Sequence, residues 1–136
     1  MSDTIKVLLI KPMKPPEVTE IPSNLEGMQA TVGGYIEATY PYEDPVALVC
    51  NEEGKLQGLP LNRALRDDTG EIYDIISGDF FICDVSGENF ASLSDEQIKK
   101  YSEKFKTPEL FVSINGQIAA IPLMTSTKPR NNNDAR

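Results

Sequence analysis

Residues 93–121, with the sequence LSDEQIKKYSEKFKTPELFVSINGQIAAI, contain a strongly signalled helix followed directly by a strongly signalled β-hairpin. Ser94 and Gln97 form a capping box, in which each side chain satisfies a backbone N–H at the start of the helix. Apolar residues then recur at the spacing of one helical face, and Pro108 ends the helix because it cannot continue the hydrogen-bond ladder. The apolar face consists of Ile98, Tyr101 and Phe105.

The dipeptide Asn115-Gly116 divides two apolar, β-branched runs at residues 110–114 and 117–121. Asn-Gly between such runs favours a two-residue turn, because both central positions of that turn require positive φ. We therefore expect a C-terminal β-hairpin over residues 110–123.

The length of 136 residues predicts one domain, residues 1–124, followed by a short tail. Residues 125–136 contain no large apolar side chain that could be buried. We expect this tail to be disordered.

The elements upstream do not alternate as the strand–helix–strand units of a parallel sheet require. We therefore predict an α+β fold: a mixed or mainly antiparallel sheet with two helices plus one short helix packed on one face, and the C-terminal hairpin. The first expected elements are a strand at 5–10, a proline-rich extended loop at 11–16, and a helix that a capping box at 23–26 opens and residues 33–34 end. Strands at 35–40 and 46–50 follow, with a hairpin from the second of them toward 55–56, and then a short helix at 59–66. The last are strands at 72–76 and 80–85, which could also be one interrupted strand.

The net charge of −8 is concentrated in the middle of the chain. Residues 37–96 contain fourteen acidic side chains against three basic ones, a local balance of −11. This balance disfavours direct binding to nucleic acid or to an anionic membrane, since both select clustered Lys and Arg. The apolar runs, such as residues 7–10, are far too short to span a bilayer, and no secretory leader precedes residues 7–10, so we expect a cytoplasmic protein.

The residue types needed for the commonest catalytic and metal sites are missing. The chain has no histidine and no Cys-x-x-Cys pair, which argues against zinc clusters and against Ser-His or Cys-His nucleophiles. Cys50 and Cys83 lie in apolar runs and are expected to be buried free thiols, with a disulfide between them as the alternative. We predict no catalytic residue, no metal ligand and no cofactor.

Residues 62–67, NRALRD, hold both arginines that precede the tail. In a helix, Arg63 and Arg66 would share a face and could clamp one anion, while Asn62 could donate to and accept from a base or an amide. The alternative is that the two arginines form ordinary surface ion pairs with nearby acids. Those acids are Asp67, Asp68 and Glu71.

An ordered series of short motifs runs through the first three fifths of the chain: LLIKP at 8–12, P-x-x-L-E-x-M-Q at 22–29, GGYIE at 33–37, VALVCNEEGK at 46–55, GLPLNRAL at 58–65 and SGDFFIC at 77–83. With them the chain resembles a domain-of-unknown-function family common in Gram-positive bacteria, their phages and integrative elements. The resemblance covers about residues 5–111 and brings no known activity or catalytic residue. It implies a small phage or mobile-element accessory protein, a setting in which proteins often counter host defence by binding.

Two hypotheses of different classes follow. In the first, a homo-oligomeric ligand-binding protein sequesters a nucleotide-derived anionic signal molecule with Asn62, Arg63 and Arg66, and stacks it on Tyr35 or Tyr40. In the second, the protein is an acidic inhibitor that presents residues 37–96 to a basic surface of a host protein. An enzyme using only Asp, Glu, Tyr and Lys is a third class that the sequence leaves open.

Overall fold

A computed structural model describes residues 3–123, which form nine strands and two helices. Every pair of strands in this part of the chain is antiparallel, and the α+β class is confirmed. The elements are β1 (Thr4–Ile10), β2 (Glu17–Pro22), α1 (Leu25–Val32), β3 (Ile36–Thr39), β4 (Val46–Asn51), β5 (Leu61–Arg66), β6 (Ile72–Ser77), β7 (Phe80–Asp84), α2 (Asp95–Lys104), β8 (Glu109–Ile114) and β9 (Gln117–Pro122).

The centre of the molecule is a five-stranded sheet in the order β2-β1-β7-β4-β3. Its three inner strands are apolar at successive positions, because side chains that alternate between the two faces are buried on both. In β7, for example, Phe80 and Ile82 belong to one core cluster, and Phe81 and Cys83 to the other. A sheet buried on both faces needs a covering layer on each side.

The two helices supply cover on opposite faces, so the expectation that the helices share one face is wrong. Met28 and Val32 of α1 pack in the cluster that contains Phe81. Tyr101 and Phe105, on and just after α2, pack in the cluster of the other face, together with side chains of the β5–β6 pair. Within residues 3–123, no helix is long and apolar enough to cross a membrane.

Residues 61–66 form β5 and not the expected short helix. The strand pairs with β6, so tertiary pairing overrides the helical spacing of its leucines. The expected hairpin from β4 toward residues 55–56 is also wrong, because residues 52–58 form turns and β4 lies between β3 and β7. The strand β2, which follows the expected loop at residues 11–16, was not predicted. All six of its residues pair with β1.

The termini of the helices follow local rules. In α2 the capping box is confirmed: Gln97 N donates to Ser94 Oγ (3.1 Å) and Ser94 N donates to Gln97 Oε1 (2.8 Å). In α1 the cap is Asn24 in place of the expected Ser23, and its Oδ1 accepts from Gly27 N at 2.7 Å.

The C-terminal hairpin is confirmed as β8 and β9, which form a separate two-stranded sheet. Asn115 and Gly116 both have positive φ, 53° and 81°, as the two-residue turn requires. The two apolar segments left open at 72–85 are separate strands, since β6 pairs with β5 and β7 lies in the central sheet. The predicted disordered tail lies outside the described residues.

Candidate functional site

A concavity of about 450 Å³ opens between β5, the C-terminal end of α2 and the base of the β8–β9 hairpin. Its volume lies in the range of small-molecule sites, about 300–1,000 Å³. We call it the β5 cleft. Its polar and aromatic lining includes Tyr42, Arg63, Arg66, Tyr73, Lys104 and Glu109.

Two irregularities in the β5–β6 pairing lie beside this cleft. Asn62 has no partner on β6, because the register passes from Leu61 to Arg63, and Tyr73 has none on β5, because it passes from Asp74 to Ile72. Such bulges re-aim side chains that strict alternation would place elsewhere. Arg63 and Arg66, three residues apart in the strand, both line this cleft.

Arg63 is almost completely buried, with 2% of its surface exposed. Its Nε and Nη2 both donate to the carbonyl oxygen of Phe105 (3.2 and 2.9 Å), and Nη2 also donates to Lys14 O (2.7 Å). Nη1 donates to the side-chain and backbone oxygens of Asn62 (2.9 and 3.4 Å). These five contacts match the five N–H groups of a guanidinium, so none is left for a ligand.

All of these acceptors are neutral oxygens, so the charge of Arg63 is solvated by dipoles and not by a carboxylate. Phe105 O lies at the C-terminal end of α2, where the helix dipole favours a cation. Burial lowers the pKa of Arg63, and the nearby Glu109 opposes that shift. Arg63 therefore acts as a fixed positive charge at the back of the cleft.

Asn62 is fully buried behind Arg63 and does not face the cleft as a ligand group. Its Nδ2 donates to Ile10 O (2.9 Å) and Gly78 O (2.8 Å), while its Oδ1 accepts from Arg63. The side chain thus joins the end of β1 to the β6–β7 turn and orients the guanidinium.

Arg66 pairs with Glu109, a residue of the hairpin base, and not with the neighbouring acids Asp67, Asp68 or Glu71. Arg66 Nη2 lies 2.8 Å from Glu109 Oε2, and Glu109 Oε1 accepts from the backbone N–H of Ala64 at 2.7 Å. The side chain of Arg66 is 38% exposed, against 9% for Glu109. Among the described residues its remaining N–H groups have no hydrogen-bond partner, so they can reach an anion.

An aromatic wall with a lysine on it completes the cleft. Lys104 Nζ lies 4.9 Å from the centre of the Tyr42 ring, a cation–π contact. The Tyr42 ring packs against Tyr101 and Phe105, at 5.2 and 6.5 Å between centroids. Burial raises the pKa of Tyr42, and the nearby Tyr73 adds to the shift, so the Tyr42 phenol is a neutral donor at pH 7.

The structure brings together only part of the predicted site. Arg63 and Arg66 line the cleft and Asn62 lies behind it, whereas Tyr35 and Tyr40 are exposed near the two ends of β3 and are not among the lining residues. Four titratable lining residues were not expected from the sequence, and they come from a loop, a strand, a helix end and the hairpin. They are Tyr42, Tyr73, Lys104 and Glu109.

The two cysteines offer no reactive thiol. Both are buried and free, and they lie in core clusters on opposite faces of the central sheet, which excludes a bridge between them in this fold. Burial raises the pKa of Cys50 to about 11 and that of Cys83 to about 12. Within residues 3–123, no group of three or more Cys, Asp or Glu side chains is placed to hold a metal ion.

Residues 5–106 match the family model described as a domain of unknown function, DUF3846. The chain belongs to this family. Comparisons with curated proteins and with solved structures gave no match. The match ends just after α2, so Glu109 and Pro122 contribute to the cleft from a segment beyond the matched residues.

Proposed function

We propose that the protein binds a small organic anion of nucleotide type in the β5 cleft and holds it without chemical change. The observation that carries the proposal is a positive, aromatic-walled cleft on a protein with a net charge of −8. Three basic side chains, Arg63, Arg66 and Lys104, line it against one acid, Glu109.

The roles of the side chains differ. Arg66 and Lys104 contact the anionic group, because their donors are accessible, and Arg63 adds its charge from behind. Tyr73, 56% exposed, offers a face on which a base can stack. Glu109 is a poor general base here, since its two oxygens already accept from Ala64 and pair with Arg66.

The biological setting is part of the proposal and rests on the family resemblance alone. In a phage or mobile element, such a protein would act as a counter-defence factor that sequesters a nucleotide-derived signal of the host. Sequestration needs affinity and not turnover, which fits a cleft that presents cations and rings.

The acidic-inhibitor hypothesis is less well supported by the geometry. Several acids of residues 37–96 are already engaged within the fold: Asp74 pairs with Lys55, Asp44 with Lys100, and Asp67 accepts three hydrogen bonds within its own turn. Pull-down from host lysate at two salt concentrations tests it, because binding to a basic surface weakens with salt.

The binding proposal is tested by thermal shift with mononucleotides, cyclic dinucleotides and ADP-ribose, alongside the corresponding nucleosides. Phosphorylated compounds should raise the melting temperature more than nucleosides do, since a ligand that binds the native state stabilises it. The bound compound should be recovered unmodified after heat release. The proposal is wrong if no compound raises the melting temperature, and an altered product would instead indicate an enzyme.

Arg66→Ala and Lys104→Ala should each weaken binding of the best phosphorylated compound about 10-fold or more, because a charge-assisted hydrogen bond contributes about 1.5–3 kcal/mol. Lys99→Ala is the matched control, since Lys99 is exposed on α2 but does not line the cleft. Isothermal titration calorimetry measures the affinities. Equal losses in the Lys99 variant would point to non-specific charge attraction.

A further inference from the structure

The β8–β9 hairpin exposes an unusual number of large apolar side chains. Leu110, Ile114, Ile118 and Ile121 are 42%, 54%, 53% and 43% exposed. Leu110 lies opposite Ile121 in the register, and Val112 opposite Ala119, so these side chains share one face with Ile114. We call this surface the hairpin face.

The backbone of the hairpin is also free at its edges. Among the described residues, no hydrogen bond from another element reaches residues 110–122. The polar contacts that hold the hairpin to β5 are at its base, where Glu109 accepts from Ala64 N and pairs with Arg66. A two-stranded hairpin alone in water is marginally stable, and open edges favour pairing with another strand. Such a hairpin gains stability from a partner.

The distribution of charge along the chain indicates which kind of partner fits the hairpin face. Residues 110–127 are the longest stretch of the chain without Asp, Glu, Lys or Arg. A basic protein or a positively charged ligand would be drawn to the acidic residues 37–96 and not to this stretch. Two copies that each carry a net charge of −8 repel one another over most of their surface. An uncharged apolar patch is the part of the surface where two copies can come into contact without this repulsion.

Residues 125–136 are a poor match for this role. Residues 125–136 contain no large apolar side chain, so they cannot cover Leu110, Ile114 and Ile121 with matching surface. A second copy presents the same three side chains, and a two-fold contact is self-complementary by construction.

We propose that two copies of the chain associate through their hairpins, with the Leu110, Ile114 and Ile121 face of one hairpin against the same face of the other. The base of the hairpin supplies Glu109 and Pro122 to the β5 cleft. Association therefore also steadies one wall of that cleft, although the contact itself does not depend on any ligand.

Sedimentation velocity of the full chain tests this proposal over about 1–200 µM, because a dimer accumulates with concentration by mass action. The wild type should shift from monomer to dimer and should keep the dimer at high salt, as an apolar contact does. The variant Ile114→Glu/Ile121→Glu should stay monomeric throughout this range. A wild type that is monomeric at the highest concentration overturns the proposal.

Two controls separate the hairpin face from general effects of added charge. Leu56→Glu replaces a side chain that is 88% exposed in a turn, and Ile118→Glu replaces one on the opposite face of the same hairpin. Both should dimerise like the wild type. The assignment is overturned if either control dissociates the dimer as fully as the double variant, and circular dichroism establishes that all variants are folded.

Discussion

Arg63 connects three segments that are far apart in the sequence. Its guanidinium bonds the loop after β1 through Lys14 O, the end of α2 through Phe105 O, and its own strand through Asn62. A planar fork with five donors can serve all of these oxygens at once, which the three donors of an ammonium group cannot. The identity of this residue therefore matters to stability as well as to the charge of the cleft.

Arg63→Lys should lower the free energy of unfolding by about 3 kcal/mol, because it leaves buried carbonyl oxygens without donors. Arg66→Lys makes the same change in the same strand at an ion pair whose cation is 38% exposed, and should cost less than about 1 kcal/mol. Urea denaturation measures both as shifts in midpoint at constant slope. Equal midpoints for the two variants would show that the buried network does not stabilise the fold.

At the scale of single elements, the clearest helix start is also the one whose contribution can be isolated. Ser94→Ala removes the acceptor for Gln97 N and leaves Gln97 with half of the capping box. It should destabilise the protein by about 1 kcal/mol in urea denaturation. Ser102→Ala, within α2, is the control and should be neutral or slightly stabilising, because Ala has the higher helix propensity. Similar losses in both variants would contradict a specific role for the cap.

Elements with local signals were predictable from the sequence, and those decided by distant partners were not. The Ser94 box and the Asn115-Gly116 turn act within a few residues, so α2 and the C-terminal hairpin were correctly expected. Residues 61–66 have helical spacing, but β6 pairs with them across a turn and makes them a strand. The two helices were expected on one face because antiparallel sheets commonly have one face in water. The continuous apolar runs of the inner strands, such as residues 46–50, instead indicate burial on both faces.

The residues of the candidate site also divide into those with a local sequence signal and those placed by distant partners. Arg63 and Arg66 stood out because they are the arginines that precede the tail in an acidic chain. Glu109, the partner of Arg66, is 43 positions away, and nothing local marks it. Tyr42 and Tyr73 carry no sequence signal that separates them from Tyr35 and Tyr40. Only the packing of α2 and the hairpin against β5 selects the first pair.

At the scale of the whole molecule, the charged forms of different aspartates have opposite effects on stability. Hydrogen bonds from Lys100 and Tyr101 hold the pKa of Asp44 below its ordinary value of 3.8, and hydrogen bonds from Thr69 and from the Glu71 backbone do the same for Asp67. Partial burial raises the pKa of Asp79 above 3.8, although Lys11 opposes the shift. The charged form of Asp44 or Asp67 thus stabilises the fold, whereas that of Asp79 destabilises it.

Asp44→Asn and Asp79→Asn should therefore change the pH dependence of stability in opposite directions. The stabilisation from Asp44 is fully present above its unfolded pKa of 3.8 and is lost as the pH falls through its lower folded pKa, because the unfolded state then binds more protons. Asp44→Asn should be less stable than the wild type at neutral pH and should lose less stability on acidification.

At Asp79 the folded state binds the extra proton, so stability falls as the pH rises from 3.8 through its raised pKa. Asp79→Asn should be more stable than the wild type at neutral pH, with the advantage vanishing below pH 3.8. Urea midpoints taken at intervals from acid to neutral pH measure both slopes, and profiles parallel to the wild type would contradict this assignment of the two carboxylates.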